Sequence, residues 1–570
     1  MQFGLSKLHL VDGAVVEPPL DGMTVFTGPN NSGKSLLLRE LVQQLQVHPG
    51  QVEPLRWINA VEIYREGSGE ELIAWLESRG HEARRHPQTG RRHLPAPYDS
   101  SEPGPDIDAA IINWSRTQVG PLNHMLVSTQ WTQDRLANQT ESRQWDLRQP
   151  PSHPTQKLWE DRATHTRFSQ WFEDAFGKPI AINRFIPEIR LQVGSTGLAD
   201  TAPPITPELR EAYSALPYLA EQGDGMRAFA NIMLHTLVTP PPVIVIDEPE
   251  AFLHPPQARL LGRYLAMYAP SQCQVFVATH SADFLHGVLE GNANIGNRRP
   301  LSLVRISRVS GVPESRILSP EVVSDILDTP LLRYSHIISG LFHDGVVLCE
   351  AEGDCAFYAA TFDAVRGTGQ HGNLAFLHVN GKARLSDAAQ KLRACGIPTA
   401  VIADLDFLND SAKIRQALTA LGGEWDRVKH EVRTLQEHAS SSVISSPASE
   451  IKKEIASIIG NASGRIALSQ HQIDKITELL KTANGWKILK SSGLTGLSGD
   501  PHNAARHLLE YFASLGVFLV PVGELECWVR TIPGSNKSAW LTRVLDEGHH
   551  QNPSNELQEF TARIVSYLKQ

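Results

Sequence analysis

The stretch "MTVFTGPNNSGKSLLLRELVQQLQ" (Met23 to Gln46) decides the fold of the first part of the chain. A short β-rich run leads into a Gly-rich turn, and a segment with helical periodicity follows it. The turn "GPNNSGKS" (Gly28 to Ser35) matches the pattern G-x-x-x-x-G-K-[ST] in full. A strand before this pattern and a helix after it are the context that a phosphate-binding P-loop requires. We therefore predict an ATP site here; the alternative is an ordinary Gly-rich turn.

The residues of the predicted loop have separate tasks. Gly28 and Gly33 let the backbone curl so that its N–H groups face the phosphates, and Asn31 is a further predicted ATP-binding residue of the loop. Lys34 is predicted to reach the β- and γ-phosphates, and Ser35 to ligate Mg²⁺. The N-terminus of the following helix adds a favourable dipole for an anion.

The stretch "VIVIDEPE" (Val243 to Glu250) supplies the second half of an ATPase site. Two adjacent acids at the end of an apolar β run are costly unless a cation or a proton transfer uses them. We predict that Asp247 holds Mg²⁺ through water and that Glu248 polarises the attacking water. His280, at the end of the next strand in "FVATHS", is predicted to sense the γ-phosphate. The alternatives are a solvated acidic turn and a structural histidine.

Composition limits the function classes. The chain has 570 residues, 41% hydrophobic and 20% charged, which suggests two to four domains with large cores. The net charge of −9 provides no global basic field, so nucleic-acid binding would need local patches. Five scattered cysteines without CxxC spacing indicate a reducing cytoplasm. We expect no signal peptide and no membrane span, because no run of about 18 apolar residues occurs.

These motifs, with "DEPEAFLHP" and "ATHS" in order, resemble the ABC-type ATPases of the SMC and OLD kind, over roughly residues 1–50 and 205–290. In that family a signature loop of one head completes the ATP site of another, so the resemblance implies a head dimer. The candidate loop is "GDGMR", in which the backbone N–H groups of Gly223 and Gly225 could bind phosphate. Gly223 stands where the family usually has serine. The alternative is a Gly turn that opens a helix. Gln130 is a further candidate, for the glutamine that links the metal to the head.

After Pro320 the pattern changes. Three short apolar strands, "GVVLCE", "LAFLHVNG" and "TAVIADLD", alternate with helical segments, which predicts a parallel sheet with right-handed crossovers. Glu350 and Asp354 follow the first strand, and Asp404 and Asp406 follow the third. Strand ends of such a sheet lie side by side, and carboxylates gathered there repel one another unless divalent cations neutralise them. Oxygen ligands suit Mg²⁺ or Mn²⁺. The alternative is a pair of solvated acidic turns.

The pattern E-x-x-x-D followed by D-x-D resembles the Toprim domain of topoisomerases, primases and OLD-family nucleases. This chain has Glu350-Ala351 where the family usually has Glu-Gly. The resemblance implies that Glu350 is a ligand or general base, and that Lys537 stabilises charge in the transition state. Lys382, in "VNGKARL", also matches the OLD pattern. The implied metal ligands are Glu350, Asp354, Asp404, Asp406 and Glu526.

A P-loop ATPase followed by a Toprim domain is the architecture of the OLD family. We therefore expect an α/β fold: an ABC-type ATPase head over residues 1–325, followed by a Toprim domain over residues 326–570. The head is expected to contain a poorly patterned insertion at about 52–205, for which dimerisation is the expected role, and the Toprim domain a helical insertion at about 437–495. A polar, basic stretch around Arg84 to Arg92 reads as a loop, and "EHASSSVISSPASE" (Glu437 to Glu450) reads as a surface linker.

The resemblance implies an ATP-regulated, metal-dependent nuclease of bacterial anti-phage defence in the cytoplasm. DNA is the expected substrate, with a homodimer or higher assembly and a partner defence protein such as a helicase or a reverse transcriptase with its retron product. Two alternatives stay open. The nuclease could cleave RNA, particularly tRNA, because the acids cannot distinguish the two substrates. The protein could instead be a nucleotide-dependent sensor or scaffold with a non-catalytic Toprim domain.

Overall fold

The computed structural model describes residues 1–46, 55–86, 89–95, 103–115, 119–137, 140–199, 204–293, 299–309, 311–319, 336–365, 373–379, 381, 384–441, 448–460, 468–481, 485–533 and 536–569. The chain forms two compact units, Met1–Asp328 and Thr329–Gln570. Within the described residues, no helix is long and apolar enough to cross a membrane.

The first unit is built from short strands and helices in alternation. Its strands are β1 (Gln2–Leu10), β2 (Val15–Val16), β3 (Gly22–Thr27), β4 (Ile58–Glu66), β5 (Arg84–Arg85), β6 (Arg92–Pro95), β7 (Pro103–Asp106), β8 (Val127–Gln130), β9 (Glu141–Arg143), β10 (Ile180–Ile182), β11 (Glu188–Val193), β12 (Val243–Asp247), β13 (Gln274–Ala278), β14 (Leu301–Val309) and β15 (Val312–Leu318). Its helices are α1 (Lys34–Gln46), α2 (Gly69–Glu77), α3 (Ile107–Ser115), α4 (Asn123–Leu126), α5 (Pro154–Glu160), α6 (Arg162–Phe176), α7 (Pro207–Ser214), α8 (Asp224–Met233), α9 (Pro255–Tyr268) and α10 (Ala282–Ala293).

A six-stranded sheet in the order β15-β14-β3-β13-β12-β8 carries the ATPase motifs. The strands from β14 to β8 pair in parallel, and β15 adds an antiparallel edge. All residues of β3, β12 and β13 are buried, which explains their continuous apolar runs. One strand, β13, separates the P-loop strand from the strand that ends in Asp247. The carboxyl ends of all three therefore open on the same edge of the sheet.

Two parts of the expected insertion at about 52–205 belong to the main architecture instead. Strand β4 pairs antiparallel with β1, and β8 pairs in parallel with β12 at the edge of the large sheet. The sequence pattern did not reveal this, because β8 has only four residues and its pairing is long-range. The expected basic loop is also partly regular: β5 and β6 form an antiparallel ribbon with exposed arginines, and β7 pairs with β6.

The second unit has a smaller sheet covered by helices. Its strands are β16 (Gly345–Cys349), β17 (Leu374–His378), β18 (Thr399–Ala403) and β19 (Val517–Leu519). Its helices are α11 (Glu352–Val365), α12 (Leu385–Ala394), α13 (Ser411–Leu421), α14 (Lys429–Ser441), α15 (Ala448–Ile459), α16 (Gln470–Lys481), α17 (Gly485–Ser492), α18 (Gly499–Ser514), α19 (Lys537–Asp546) and α20 (Asn555–Leu568). The order of the sheet is β17-β16-β18-β19, and every pair is parallel.

This topology matches the expected β-α-β-α-β pattern and places the β16 and β18 ends side by side. The expected surface linker is partly helical, because α14 continues to Ser441 and α15 begins at Ala448. Local signals explain where helices stop and start. Asp410 caps α13 by accepting hydrogen bonds from two backbone N–H groups, and Gly422 ends that helix with a left-handed φ of 79°.

Candidate functional site

The P-loop of the first unit has the backbone conformation that a phosphate cradle needs. Gly28, Asn31 and Gly33 have φ values of 146°, 63° and 103°. At Gly33 the choice of glycine is also steric, because a Cβ would lie 2.3 Å from Nε1 of Trp57. These positive φ values turn the loop between β3 and α1 so tightly that residues with side chains fit poorly.

Lys34 is held inside this loop. Its Nζ donates hydrogen bonds to the carbonyl oxygens of Gly28 and Pro29, at 2.9 and 2.8 Å. Burial lowers the pKa of Lys34, and the carboxylates of Glu248 and Asp247 oppose that effect. The ammonium thus lies in the loop where the motif predicts a phosphate contact.

Asp247 ends the buried strand β12 and is 5% exposed. Burial raises the pKa of its carboxyl group, and a hydrogen bond with the hydroxyl of Ser35 acts in the opposite direction. Its Oδ1 is buried and has no hydrogen-bond partner among the described residues. An orphaned carboxylate oxygen beside the P-loop serine fits a hard cation, which prefers oxygen ligands. Ser35 and Asp247 would hold Mg²⁺ here.

Glu248, the predicted catalytic acid, pairs with His280. The Nδ1 atom of His280 lies 3.3 Å from Oε1 of Glu248 and 3.3 Å from Oε1 of Glu250. The hydrogen bond between Glu248 and His280 lowers the pKa of the carboxyl group and raises the pKa of the imidazole. Glu248 has a φ of 49°, which is unusual for a residue with a side chain.

Glu250 has a structural role that the sequence did not reveal. It is buried and accepts hydrogen bonds from Oγ1 of Thr279 and from the backbone N–H of His280, both at 2.9 Å. Burial raises the pKa of Glu250. The carboxylate therefore orients His280 toward Glu248.

Arg135 is the second residue that sequence reasoning missed. It is 1% exposed, and its Nη2 lies 2.8 Å from the carbonyl oxygens of both Asp247 and Glu248. The same nitrogen lies 2.9 Å from the hydroxyl of Thr132, and Asn231 of α8 donates to the carbonyl of Arg135 at 3.0 Å. The guanidinium of Arg135 thus fixes the backbone of Asp247, the predicted metal ligand, and of Glu248, the predicted catalytic residue.

The candidate signature loop lies at the start of α8. Gly223 is the N-cap residue in an extended conformation, without a side-chain cap, and among the described residues no atom lies within 4 Å of where its Cβ would be. A Cβ on Gly225 would lie 2.6 Å from the carbonyl oxygen of Phe252, in the turn after Glu248. Gln130 ends β8 beside β12, is buried, and donates to the hydroxyl of Ser128 at 3.2 Å.

The second unit gathers carboxylates at the carboxyl ends of β16 and β18. Oxygen atoms of Glu350, Asp404 and Asp406 all lie within 4.8 Å of one another. We call these three residues the carboxylate cage. Its oxygen ligands and close spacing fit a divalent cation, Mg²⁺ or Mn²⁺, which the three residues would hold.

Two of the expected metal ligands, Asp354 and Glu526, are not part of this 4.8 Å group. They lie beside the cage, as does Lys537. Asp354 is buried, forms an ion pair with Nζ of Lys537 at 2.7 Å, and accepts a hydrogen bond from the backbone N–H of Ala351 at 3.0 Å. It thus closes the turn that presents Glu350. Burial raises the pKa of Glu526, and the charge of nearby Glu524 adds to that effect.

A third missed residue, Lys490 of α17, reaches the cage from the inserted helical region. Its Nζ lies 3.0 Å from Asp404, 3.8 Å from Asp406 and 3.2 Å from Glu524. Burial opposes the charge of this ammonium, but the three carboxylates outweigh burial and raise its pKa. Lys382, the other lysine expected near the site, lies outside the described residues.

Comparisons with known proteins support both predicted domains. A family model described as "AAA domain, putative AbiEii toxin, Type IV TA system" matches residues 147–285. A second, "Overcoming lysogenization defect protein-like, TOPRIM domain", matches residues 341–406, a range that includes the whole carboxylate cage. The predicted ATPase and Toprim domains are confirmed.

A curated relative is the Old nuclease of Escherichia phage P2, 27% identical over 175 residues. The match covers 30% of this chain and 28% of that protein, so the chain spans less than a third of the relative's length. Among solved structures, an SMC head bound to the C-winged helix domain of ScpA has a TM-score of 0.32 at 14% identity, covering 56% of this chain and 99% of that one. The SMC head domain from Thermotoga maritima has a TM-score of 0.28 at 16% identity, covering 56% and 100%.

Proposed function

We propose that this chain, which matches the OLD family in having an N-terminal ATPase domain and a C-terminal Toprim domain, is a divalent-metal-dependent nuclease whose activity is regulated by ATP. The observation that carries the proposal is the carboxylate cage at the carboxyl edge of a parallel sheet. Three carboxylates so close together are costly unless cations use them. A bound divalent cation supplies Lewis-acid stabilisation of a phosphodiester undergoing cleavage.

The residues around the cage have distinct roles in this proposal. Glu350 is a metal ligand or the general base, and Asp404 and Asp406 are ligands. Asp354 keeps the Glu350 turn closed through Ala351 and fixes Lys537 by an ion pair of 2.7 Å. Lys537 thereby places a positive charge beside the cage, where negative charge develops on the phosphate during cleavage.

The first unit is the regulator in this proposal. Lys34, Ser35 and Asp247 bind ATP and its magnesium, Glu248 polarises the attacking water, and His280 contacts the γ-phosphate. The ion pair between Glu248 and His280, at 3.3 Å, keeps these two side chains together at the end of the sheet that carries Asp247.

The biological setting is proposed on the same basis. The expected substrate is DNA, and the chain acts as a homodimer or larger assembly in the cytoplasm. Gly223 and Gly225 of one copy would face the phosphates of the other. We propose an anti-phage role beside a partner defence protein, in line with the resemblance to the OLD family.

The test is cleavage by the full-length protein with Mg²⁺ or Mn²⁺, with and without ATP, on plasmid DNA and on total tRNA. Glu350→Gln should abolish cleavage, while the matched control Glu352→Gln, two residues away on an exposed position, should not. Lys34→Ala should remove the response to ATP but leave the metal site intact. Cleavage of tRNA alone would identify RNA, and not DNA, as the substrate. Full activity of Glu350→Gln on both substrates would refute the proposal that the carboxylate cage is a nuclease site.

A further inference from the structure

Lys490 connects the carboxylate cage to a helix that lies far away in sequence. The residue is on α17, and its ammonium lies 3.0 Å from Oδ2 of Asp404 and 3.2 Å from Oε2 of Glu524. Its side chain is 28% exposed, and that of Asp404 is 13% exposed, so solvent screens this contact less than an ordinary surface ion pair.

The backbone of α17 is docked against the turn that carries Glu524. Gly523 has a φ of 108°, and a Cβ there would lie 1.9 Å from the carbonyl oxygen of Lys490. The thiol of Cys527 donates to that same oxygen at 3.7 Å, and the backbone N–H of Leu405 donates to the carbonyl of Gly523 at 2.8 Å. Close packing therefore fixes the backbone of α17 at the point from which the side chain of Lys490 reaches the cage.

The ammonium and a divalent cation would share two carboxylate groups, those of Asp404 and Asp406. Oxygens of Asp404 and Asp406 belong to the cage, and Lys490 lies 3.0 and 3.8 Å from these two residues. A cation between Glu350, Asp404 and Asp406 would be repelled by an ammonium at that distance. Binding of either positive charge at Asp404 therefore weakens binding of the other.

We propose that Lys490 is a positioning residue that acts as an internal counter-cation of the carboxylate cage and competes with the divalent cation for Asp404. The docking of α17 and metal occupancy are then thermodynamically linked, and the link is reciprocal. Metal binding displaces the ammonium, and any partner that draws α17 away strengthens metal binding. The inference rests on the proposed use of metal by the cage, but not on nuclease activity.

A different role, contact with the phosphate of the substrate, would also place a lysine beside the acids. The two roles differ in the absence of nucleic acid. A phosphate-binding lysine leaves metal affinity unchanged or weaker when it is removed. A counter-cation strengthens metal affinity when it is removed, because the carboxylates lose their internal partner.

The experiment is calorimetric titration of the metal-stripped, full-length protein with Mn²⁺, without nucleotide or nucleic acid. Lys490→Met should bind Mn²⁺ about tenfold more tightly than the wild type, because the ammonium no longer repels the cation; a tenfold change is about 1.4 kcal/mol, well within the Coulomb energy of two charges a few ångströms apart near a protein surface. Lys490→Arg keeps the charge and should stay close to the wild type. Lys429→Met removes a lysine that pairs with Asp426 on an exposed surface and should have no effect. Glu350→Gln, titrated in parallel, shows whether the measured heat comes from Mn²⁺ binding at the cage.

Thermal unfolding separates this effect from misfolding. In EDTA, Lys490→Met should melt below the wild type, because the cage loses one of its positively charged partners. Saturating Mn²⁺ should raise its melting temperature more than that of the wild type. Equal or weaker Mn²⁺ binding by a folded Lys490→Met protein would overturn the proposal. Absence of cleavage by the wild type, together with tightened Mn²⁺ binding by Lys490→Met, would count against the proposed nuclease only.

Discussion

Replacing Arg135 with methionine tests whether a buried guanidinium holds the ATPase acids in place. Methionine keeps much of the side-chain volume but removes the donor that lies 2.8 Å from the carbonyl oxygens of Asp247 and Glu248. Hydrogen bonds to charged groups contribute roughly 1.5–3 kcal/mol each, and a carbonyl left buried and unpaired costs about 1–3 kcal/mol. The loss is partly offset, because Nε and Nη1 of Arg135 are buried without partners among the described residues. We expect a net destabilisation of about 2–4 kcal/mol.

The catalytic effect should be larger than the effect on nucleotide binding. Glu248 has a strained φ of 49°, and a backbone released by Arg135 can relax from it. A displacement of about 1 Å in a catalytic group can cost about a hundredfold in rate. ATP affinity should change only a few-fold, because the P-loop donors are untouched.

The assay is steady-state ATP turnover beside equilibrium binding of a fluorescent ATP analogue. Arg148→Met is the matched control, because Arg148 is exposed and pairs only with neighbouring Asp146 among the described contacts. A folded Arg135→Met protein with wild-type turnover would refute the reasoning. So would a loss of ATP binding equal to the loss of turnover.

Three further changes test other parts of the structure. Gly225→Ala places a Cβ 2.6 Å from the carbonyl of Phe252 and should cost about 1–3 kcal/mol in thermal unfolding; unchanged stability would contradict the close contact. Burial lowers the pKa of His153 to about 4 and of His235 to about 3. Burial also lowers the pKa of His81 to about 4 and lowers that of His124. Stability present above pH 6.5 should therefore fall toward pH 4, because each of these histidines binds a proton in the unfolded chain before it does so in the folded chain, and each adds up to about 1.4 kcal/mol per pH unit to the slope. His235→Phe should lower the slope by about 1.4 kcal/mol per pH unit in denaturant titrations at pH 7.5 and 5, and an unchanged slope would exclude a contribution from His235. Asp354→Asn should lower the melting temperature and weaken Mn²⁺ binding, because it loosens the turn that carries Glu350. If neither quantity changes, contacts other than those of Asp354 hold this turn.

Much of both sites could be predicted from local pattern. The P-loop, "VIVIDEPE" and "TAVIADLD" each join a buried strand to the residues that follow it, and the structure ends β3, β12 and β18 at those points. A strand buried on both faces has to be apolar, so polar residues at its end are conspicuous in the sequence. Weakly patterned segments were harder to interpret. The sequence pattern places the four-residue strand β8 in an insertion, although it lies at the edge of the main sheet.

The sequence by itself therefore determined which acids, lysine and histidine stand at the ends of the strands, because strand, turn and helix are neighbours along the chain. Only the tertiary structure decided which positively charged side chains contact these residues. Arg135 contacts a residue 112 positions away, and Lys490 approaches Asp404 from a helix that the chain reaches only after several others. Neither residue has a local signature, because a buried cation is specified by the carboxylates and carbonyl groups that fold around it and not by its neighbours in sequence.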